Sequence, residues 1–302
     1  MALLIDQPHW PAHGTRFAHL VSDISLVELW NFARSQGLPA RAFDHDHFDV
    51  SEARHGSIVA AGAEPVEARE LVHRLQLSGL RMPQAHRLPS RRRAETNLRR
   101  SWELLLPTEP ELGRRLITEW SQPHRHYHDT RHLVHLLAAL AQLDPQVDPT
   151  VALAAWFHDA VYRGEPGDDE RASAELAEWE LRRAGLPAPT ITEVVRLVLL
   201  TIDHQSAPDD PRGTALIDAD LAILGQPQGR YLMYLNGVRA EHPNLSDDDF
   251  EMARRRVVGA LLSQQSLYRS QIAQQLWLDR ARENLSSEEF HWQTVRGHQQ
   301  LD

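Results

Sequence analysis

The chain has no cysteine and no lysine among its 302 residues, and both gaps narrow its chemistry. Without thiols there are no disulfides, thiolate zinc sites or cysteine nucleophiles, so any metal must be held by nitrogen and oxygen. Without lysine, Schiff-base chemistry and the phosphate-binding lysine of P-loops are excluded, and all 32 basic side chains are arginine. Anion recognition then falls to planar guanidinium forks. Long apolar runs are also missing: none approaches the roughly 20 residues of a membrane span. The opening MALLIDQPHW has no basic leader and only a very short apolar run, so it does not read as a secretory signal and a cytoplasmic protein is expected. A formal net charge of −10 argues against broad capture of nucleic acid or of an anionic membrane.

The length suits about two domains of roughly 100 to 200 residues each. With 42% hydrophobic and 25% charged residues, either half can bury a core. Residues 2–6, ALLID, read as a buried strand, and a second short strand is expected around ARAFD at 40–44. Between them Ser25-Leu26-Val27-Glu28 has the form of a capping box, the spacing of Leu26, Leu29, Trp30 and Ala33 continues a helix, and Gly37 closes it. Further helices are expected from Ser51 to near Gly62 and over 66–77. Residues 1–77 thus form a small α/β domain. Over 78–103 the periodicity dissolves into a stretch rich in Arg, Pro and Ser, read as a basic linker whose Arg91-Arg92-Arg93 run is solvated. Over 104–302 every extended segment is helical in pattern, with starts expected at Thr108, at Asp148 before Pro149, near Asp169, at Thr190 and at Asp247. This second domain is expected to be an all-α bundle.

Costly side chains sit on apolar segments of that second domain. PHRHYHDTRHLVHLL carries His124, His126, His128, His132 and His135, and the four-residue spacing of His128 and His132 predicts one shared helix face. AAWFHDAVYRG sets His158 beside Asp159 among apolar neighbours, and LIDADLAILG does the same with Asp218 and Asp220. Burying an ionised carboxylate without a partner is heavily penalised, and a divalent cation shared by the three segments would remove the penalty. Periodicity alone does not bring His158 and Asp159 to one ion, because neighbours on a helix diverge by about 100°.

The order His132, His158-Asp159, Asp220 resembles the H…HD…D signature of the HD-superfamily phosphohydrolases, which are helical, metal-dependent enzymes. HYHDTRH is similar to their Y-H-x-x-x-H segment, WFHDAVY to their HD helix, DDERASAELA to a following acidic segment, and DADLAILG to their terminal Asp. ARENL at 281–285 resembles the C-terminal end of a bacterial subgroup of predicted metal-dependent phosphohydrolases. The resemblance implies His132, His158, Asp159 and Asp220 as metal ligands and His128 as a general acid. Asp218 is read as a supporting partner of Asp220 or a cap. Arg125 and Arg163 are expected to hold phosphoryl oxygens, and Glu170 to orient the attacking water, with a helix-start cap as its equal alternative. His204 is expected to contact substrate or a second metal. Two-metal members add two histidines between HD and the final Asp, and only His204 is offered here, so one ion per chain is preferred. Sulfur-free ligation admits Mn, Fe, Co, Ni, Zn or Mg.

In the first domain MALLID, HLVSD at 19–23, ELWNFA, HFD at 47–49 and AAGA at 60–63 resemble a bacterial module catalogued as domain of unknown function 4031, which implies no activity. His19 with Asp23, and Asp6 with His47, are read as shared sites or as hydrogen-bonded structural pairs. The expected function is hydrolysis of a phosphate ester or anhydride in a nucleotide or another small phosphorylated metabolite, by a water activated on the cation. The alternatives are a non-catalytic metal- and nucleotide-binding regulatory module, and a di-iron oxygenase of the HD type. A homo-oligomer is left open.

Overall fold

The computed structural model describes residues 2–299, so residues 300–302 of the expected helical domain lie outside the described residues. Two compact units result: Met1–Arg87 with Pro227–Asn236, and Leu88–Gln226 with the chain from Gly237 onward. A small α/β region is therefore followed by a mostly helical one. Among the described residues no helix is long and apolar enough to cross a membrane.

The first unit is built on a sheet of strands β1 (Leu3–Ile5), β2 (Trp10–Ala12), β3 (Thr15–Ser22), then helix α1 (Leu26–Ser35), β4 (Phe43–Asp44), β5 (His47–Ser51), α2 (Glu52–Ala60), β6 (Glu64–Pro65) and α3 (Ala68–Leu77). The strand order is β4-β5-β3-β1-β6, with β2 paired to β3, and only β1 with β6 is parallel. His13 and Gly14 join β2 to β3 with φ of 47° and 76°, the two left-handed residues that a tight hairpin of matching twist demands. Ser25 caps α1 by accepting from Glu28 N, whereas the Glu28 carboxylate turns to Ser22 Oγ, so only half of the expected capping box forms. The two faces of the sheet differ. Ile5, Leu20 and Phe48 pack under α1 and α2 with Leu26, Leu29 and Ile58, while Leu4 and Val21, one residue out of phase, meet Leu71 and Leu75 of α3.

The helical unit contains α4 (Arg91–Leu105), α5 (Pro110–Trp120), α6 (Thr130–Leu143), α7 (Pro149–Phe157), α8 (Asp168–Arg183), α9 (Ala188–Leu199), α10 (Pro211–Asp220), part of α11 (Gln228–Glu241), α12 (Asp247–Ser263) and α13 (Gln271–Gln299). Of the stretch 78–103 expected as a linker, residues 78–90 are irregular apart from one short turn at Gln84–His86, whereas the part from Arg91 onward is helix α4. Ser90 caps α4 through Arg93 N, and Ala94, Leu98 and Trp102, spaced at i, i+4 and i+8, bury one narrow stripe between the arginines. Averaged over the whole segment, that stripe is hidden by charge. Helix α7 is buried on every side from Val151 to Phe157, so it is the axis on which the others pack. Trp102 meets Trp156 edge to face at 4.9 Å, and Trp120 donates its indole N–H to Trp156 O at 3.0 Å. Where α4 crosses α5, a Cβ at Gly113 would lie 2.2 Å from Trp102 Cδ1, so only glycine permits that approach.

Candidate metal centre

Three stretches of the helical unit deliver the ligand-type side chains. Helix α6 begins at Thr130 under an Asp129 cap, which places His132 in its first turn, buried against Tyr127 and Trp120. Helix α7 stops at Phe157, so His158 and Asp159 lie in the turn that ends it. His158 keeps helical backbone angles and its N–H still bonds Ala154 O, yet its Nε2 and Asp159 Oδ2 come within 3.1 Å of each other. Asp220 is the last residue of α10, whose start is fixed by Asp210 accepting from Gly213 N.

The four groups converge. The Nε2 atoms of His132 and His158 are 3.2 Å apart. Asp159 Oδ2 lies 3.1 Å from His158 Nε2 and 3.8 Å from His132 Nε2, and Asp220 Oδ1 lies 3.2 Å from His132 Nε2 and 3.6 Å from His158 Nε2. His132, His158 and Asp159 each offer a ligand atom within 4.8 Å of the others. Their chemistry suits a cation. His158 Nδ1 is 2.9 Å from Ala155 O, a pure acceptor, so Nδ1 carries a proton and Nε2 is the nitrogen that faces a second imidazole and two carboxylates. Two carboxylates facing these nitrogens call for positive charge, which a protonated imidazole or a bound cation supplies. Burial would lower the His158 pKa, yet the charges of Asp159 and Asp220 raise it well above the ordinary imidazole range. Burial likewise opposes ionisation of Asp159 and Asp220, and the facing imidazoles hold both below the ordinary carboxylate range. His132 Nδ1 has no hydrogen-bond partner among the described residues, so its tautomer is set from the Nε2 side.

His128 lies in the turn ahead of α6 and not on its face, with its ring 5.8 Å from that of His132. Its Nδ1 is 2.7 Å from Glu241 Oε2. Glu241, whose side chain is fully buried, also accepts from the backbone N–H of His126, Tyr127 and His128 through Oε1 and from Tyr162 Oη through Oε2. Burial would raise the Glu241 carboxyl, but the His128 hydrogen bond and charge pull it down to about 2. Burial would lower His128, and the Glu241 hydrogen bond with the charges of Asp159 and Asp220 raises it instead. The sequence gives no sign of this partner, which sits 113 residues away on an unremarkable helix end.

Other expected roles change. Arg125 is fully buried: Nε donates to Gln122 Oε1, one terminal nitrogen to the carbonyls of His128 and Asp159, and the other to that of Ala160. Its fork is committed to backbone, so it braces the ligand turns and does not grip phosphoryl oxygens. Glu170 accepts from Gly167 N at 2.6 Å and closes the start of α8, the capping alternative to orienting a water. Its neighbour Asp169 gathers the N–H groups of Arg163, Gly164 and Glu165. Arg163 is exposed beside a cleft of about 680 Å³ that Tyr162 and Glu241 also line. His204, in a left-handed conformation at φ 53°, places Nε2 3.0 Å from Asp220 Oδ2, the oxygen turned away from His132. Asp218 accepts from Arg269 N and Ser270 N and so fixes the start of α13. Asn284 of the ARENL segment donates to Leu224 O and Gln226 O, pinning the chain that follows Asp220.

Comparison with known proteins reaches only the first unit. Residues 3–78 match the family described as a protein of unknown function, DUF4031. No curated protein and no solved structure matches the chain.

Proposed function

We propose that the helical unit is a metal-dependent hydrolase of phosphate esters or anhydrides, of the HD-superfamily type, acting on a nucleotide or similar small phosphorylated metabolite. The observation that supports it is the meeting of His132, His158, Asp159 and Asp220 from three separated segments, with every imidazole Nε2 within 4 Å of a carboxylate oxygen from both aspartates. Those four side chains would hold one divalent cation. Such an ion supplies Lewis acidity and makes a water nucleophilic near neutral pH.

The remaining groups handle protons and position. His128 keeps its proton because Glu241 anchors Nδ1, which leaves Nε2 as the nitrogen able to protonate a leaving oxygen. Arg163 is the exposed arginine available to a phosphate, and His204 steadies Asp220 from its outer side. Arg125 keeps the His128 turn and the Asp159 turn in register by sharing its hydrogens between their carbonyls.

The test is phosphate release from a nucleotide panel with Mn²⁺ or Co²⁺, run on the whole chain and on Asp159→Ala with metal analysis of both. Asp159→Ala is expected to lose bound metal and activity by about 10²–10³-fold or more. Equal activity in the two proteins refutes the reading. Metal and nucleotide binding without phosphate release favours the regulatory module, and dioxygen consumption favours the oxygenase.

A further inference from the structure

The first unit holds a second gathering of imidazole and carboxylate. In the antiparallel pairing of β3 with β5, His19 lies directly opposite Asp49, and His47 precedes Asp49 by two residues, so all three project from one face of the sheet. It is the face on which α3 covers Leu4 and Val21 but not the β3–β5 end. One ligand atom from each of His19, His47 and Asp49 lies within 4.8 Å of the others. The rings of His19 and His47 meet edge to face at 4.9 Å.

Both rings are oriented from behind by carboxylates. His19 Nδ1 is 3.0 Å from Asp6 Oδ2, and His47 Nδ1 is 2.7 Å from Asp46 Oδ1. Asp6 and Asp46 are buried, at 2% and 0% exposure, and a carboxylate accepts from an imidazole N–H, so each Nδ1 is the donor and each Nε2 is the nitrogen left on the far side of its ring. Asp46 is itself held by Met82 N at 2.7 Å and by Arg81 and Arg87. An arrangement in which a supported carboxylate fixes the tautomer of an imidazole whose other nitrogen is free is how proteins prepare histidine to bind metal. The free side opens on a cleft of about 1180 Å³.

We propose that His19, His47 and Asp49 form a metal site in the first unit, taking a divalent cation of the borderline transition series such as zinc, cobalt or nickel. Two imidazoles and one carboxylate are the ligand set those ions accept, and three protein donors leave a coordination position facing the cleft for an exchangeable ligand. Asp6 and Asp46 act as positioning residues. This site does not depend on the reading of the helical unit.

Its test uses the full chain carrying Asp159→Ala and Asp220→Ala, stripped with a chelator and titrated with Co²⁺, with d–d absorption and bound cobalt per chain as readouts. About one cobalt per chain is expected to remain, with the visible spectrum of nitrogen and oxygen ligation. Adding Asp49→Asn or His19→Gln is expected to weaken it by about tenfold or more, and Asp6→Asn, which touches no metal, by about 10–100-fold. Undiminished cobalt affinity in Asp49→Asn and His19→Gln overturns the site. So does an absence of cobalt binding by the doubly substituted chain when its circular dichroism matches that of the wild type. Should that chain fail to fold, the same substitutions are read in the wild-type background, where an unchanged total of bound cobalt overturns the site equally.

Discussion

The two units gather the same kinds of side chain in opposite order. In the helical unit the carboxylates of Asp159 and Asp220 point inward among the imidazole nitrogens, and the ring of His158 is steadied from behind by a backbone carbonyl. In the first unit the buried carboxylates of Asp6 and Asp46 stand behind the rings, and only Asp49, about half exposed, faces the imidazoles. Two inward aspartates match the charge of a divalent ion, whereas one leaves positive charge over and favours an anionic ligand in the open position. Helix ends supply the first arrangement, with His132 in an opening turn and His158, Asp159 and Asp220 at closing ones. Strands supply the second, because residues two apart share a face.

The largest effect that sharpens this contrast is expected at Glu241. Glu241→Ala leaves three backbone N–H groups and His128 without their buried acceptor, and should cost about 3–5 kcal/mol in urea unfolding. A loss below about 1 kcal/mol would mean that water replaces the carboxylate there.

A smaller effect is expected with pH. Glu241 is held at about 2 against an ordinary 4.5, so its contribution is complete above about 4.5 and is lost as pH falls toward about 2. His128 is held above its ordinary 6.5, so its contribution is complete below about 6.5 and is lost as pH rises through the raised value. The melting temperature of the wild type minus that of Glu241→Gln should therefore peak between about pH 4.5 and 6.5. A difference flat across pH would dissolve the pair.

The smallest effect is expected at Asp49. Asp49→Asn should change stability by less than about 0.5 kcal/mol, since the side chain is 47% exposed and braces nothing buried. A large loss in urea unfolding would make Asp49 structural and erase the contrast between the units.

The meeting of these side chains is legible because they interrupt apolar segments: His158-Asp159 ends WF, and Asp220 follows LIDA. The caps at Ser25 and Asp148 were equally plain, since each is a local signal that a few residues decide. Helix starts with weaker signals drifted, as α5 begins at Pro110 and α9 at Ala188, while Thr108 and Thr190 were expected. What failed depended on direction or distance. Arg125 and Glu170 carry the right charge for catalysis, but where their atoms point is fixed by backbone that sequence does not display. His19 and Asp23, four residues apart, read as a pair, yet His19 lies on a strand, where its partner is Asp6, and Asp23 binds Arg74. Asp6 was in turn matched to His47, whose ring is held by the adjacent Asp46.

Arg125 ties the turn before α6 to the turn after α7 through a single planar group. Two walls of the His132, His158, Asp159 and Asp220 cluster thus share one fastening, and neither can drift without dragging the other. Tolerance to change in this half of the protein is correspondingly shared: damage at that one side chain would reach His128 and Asp159 together.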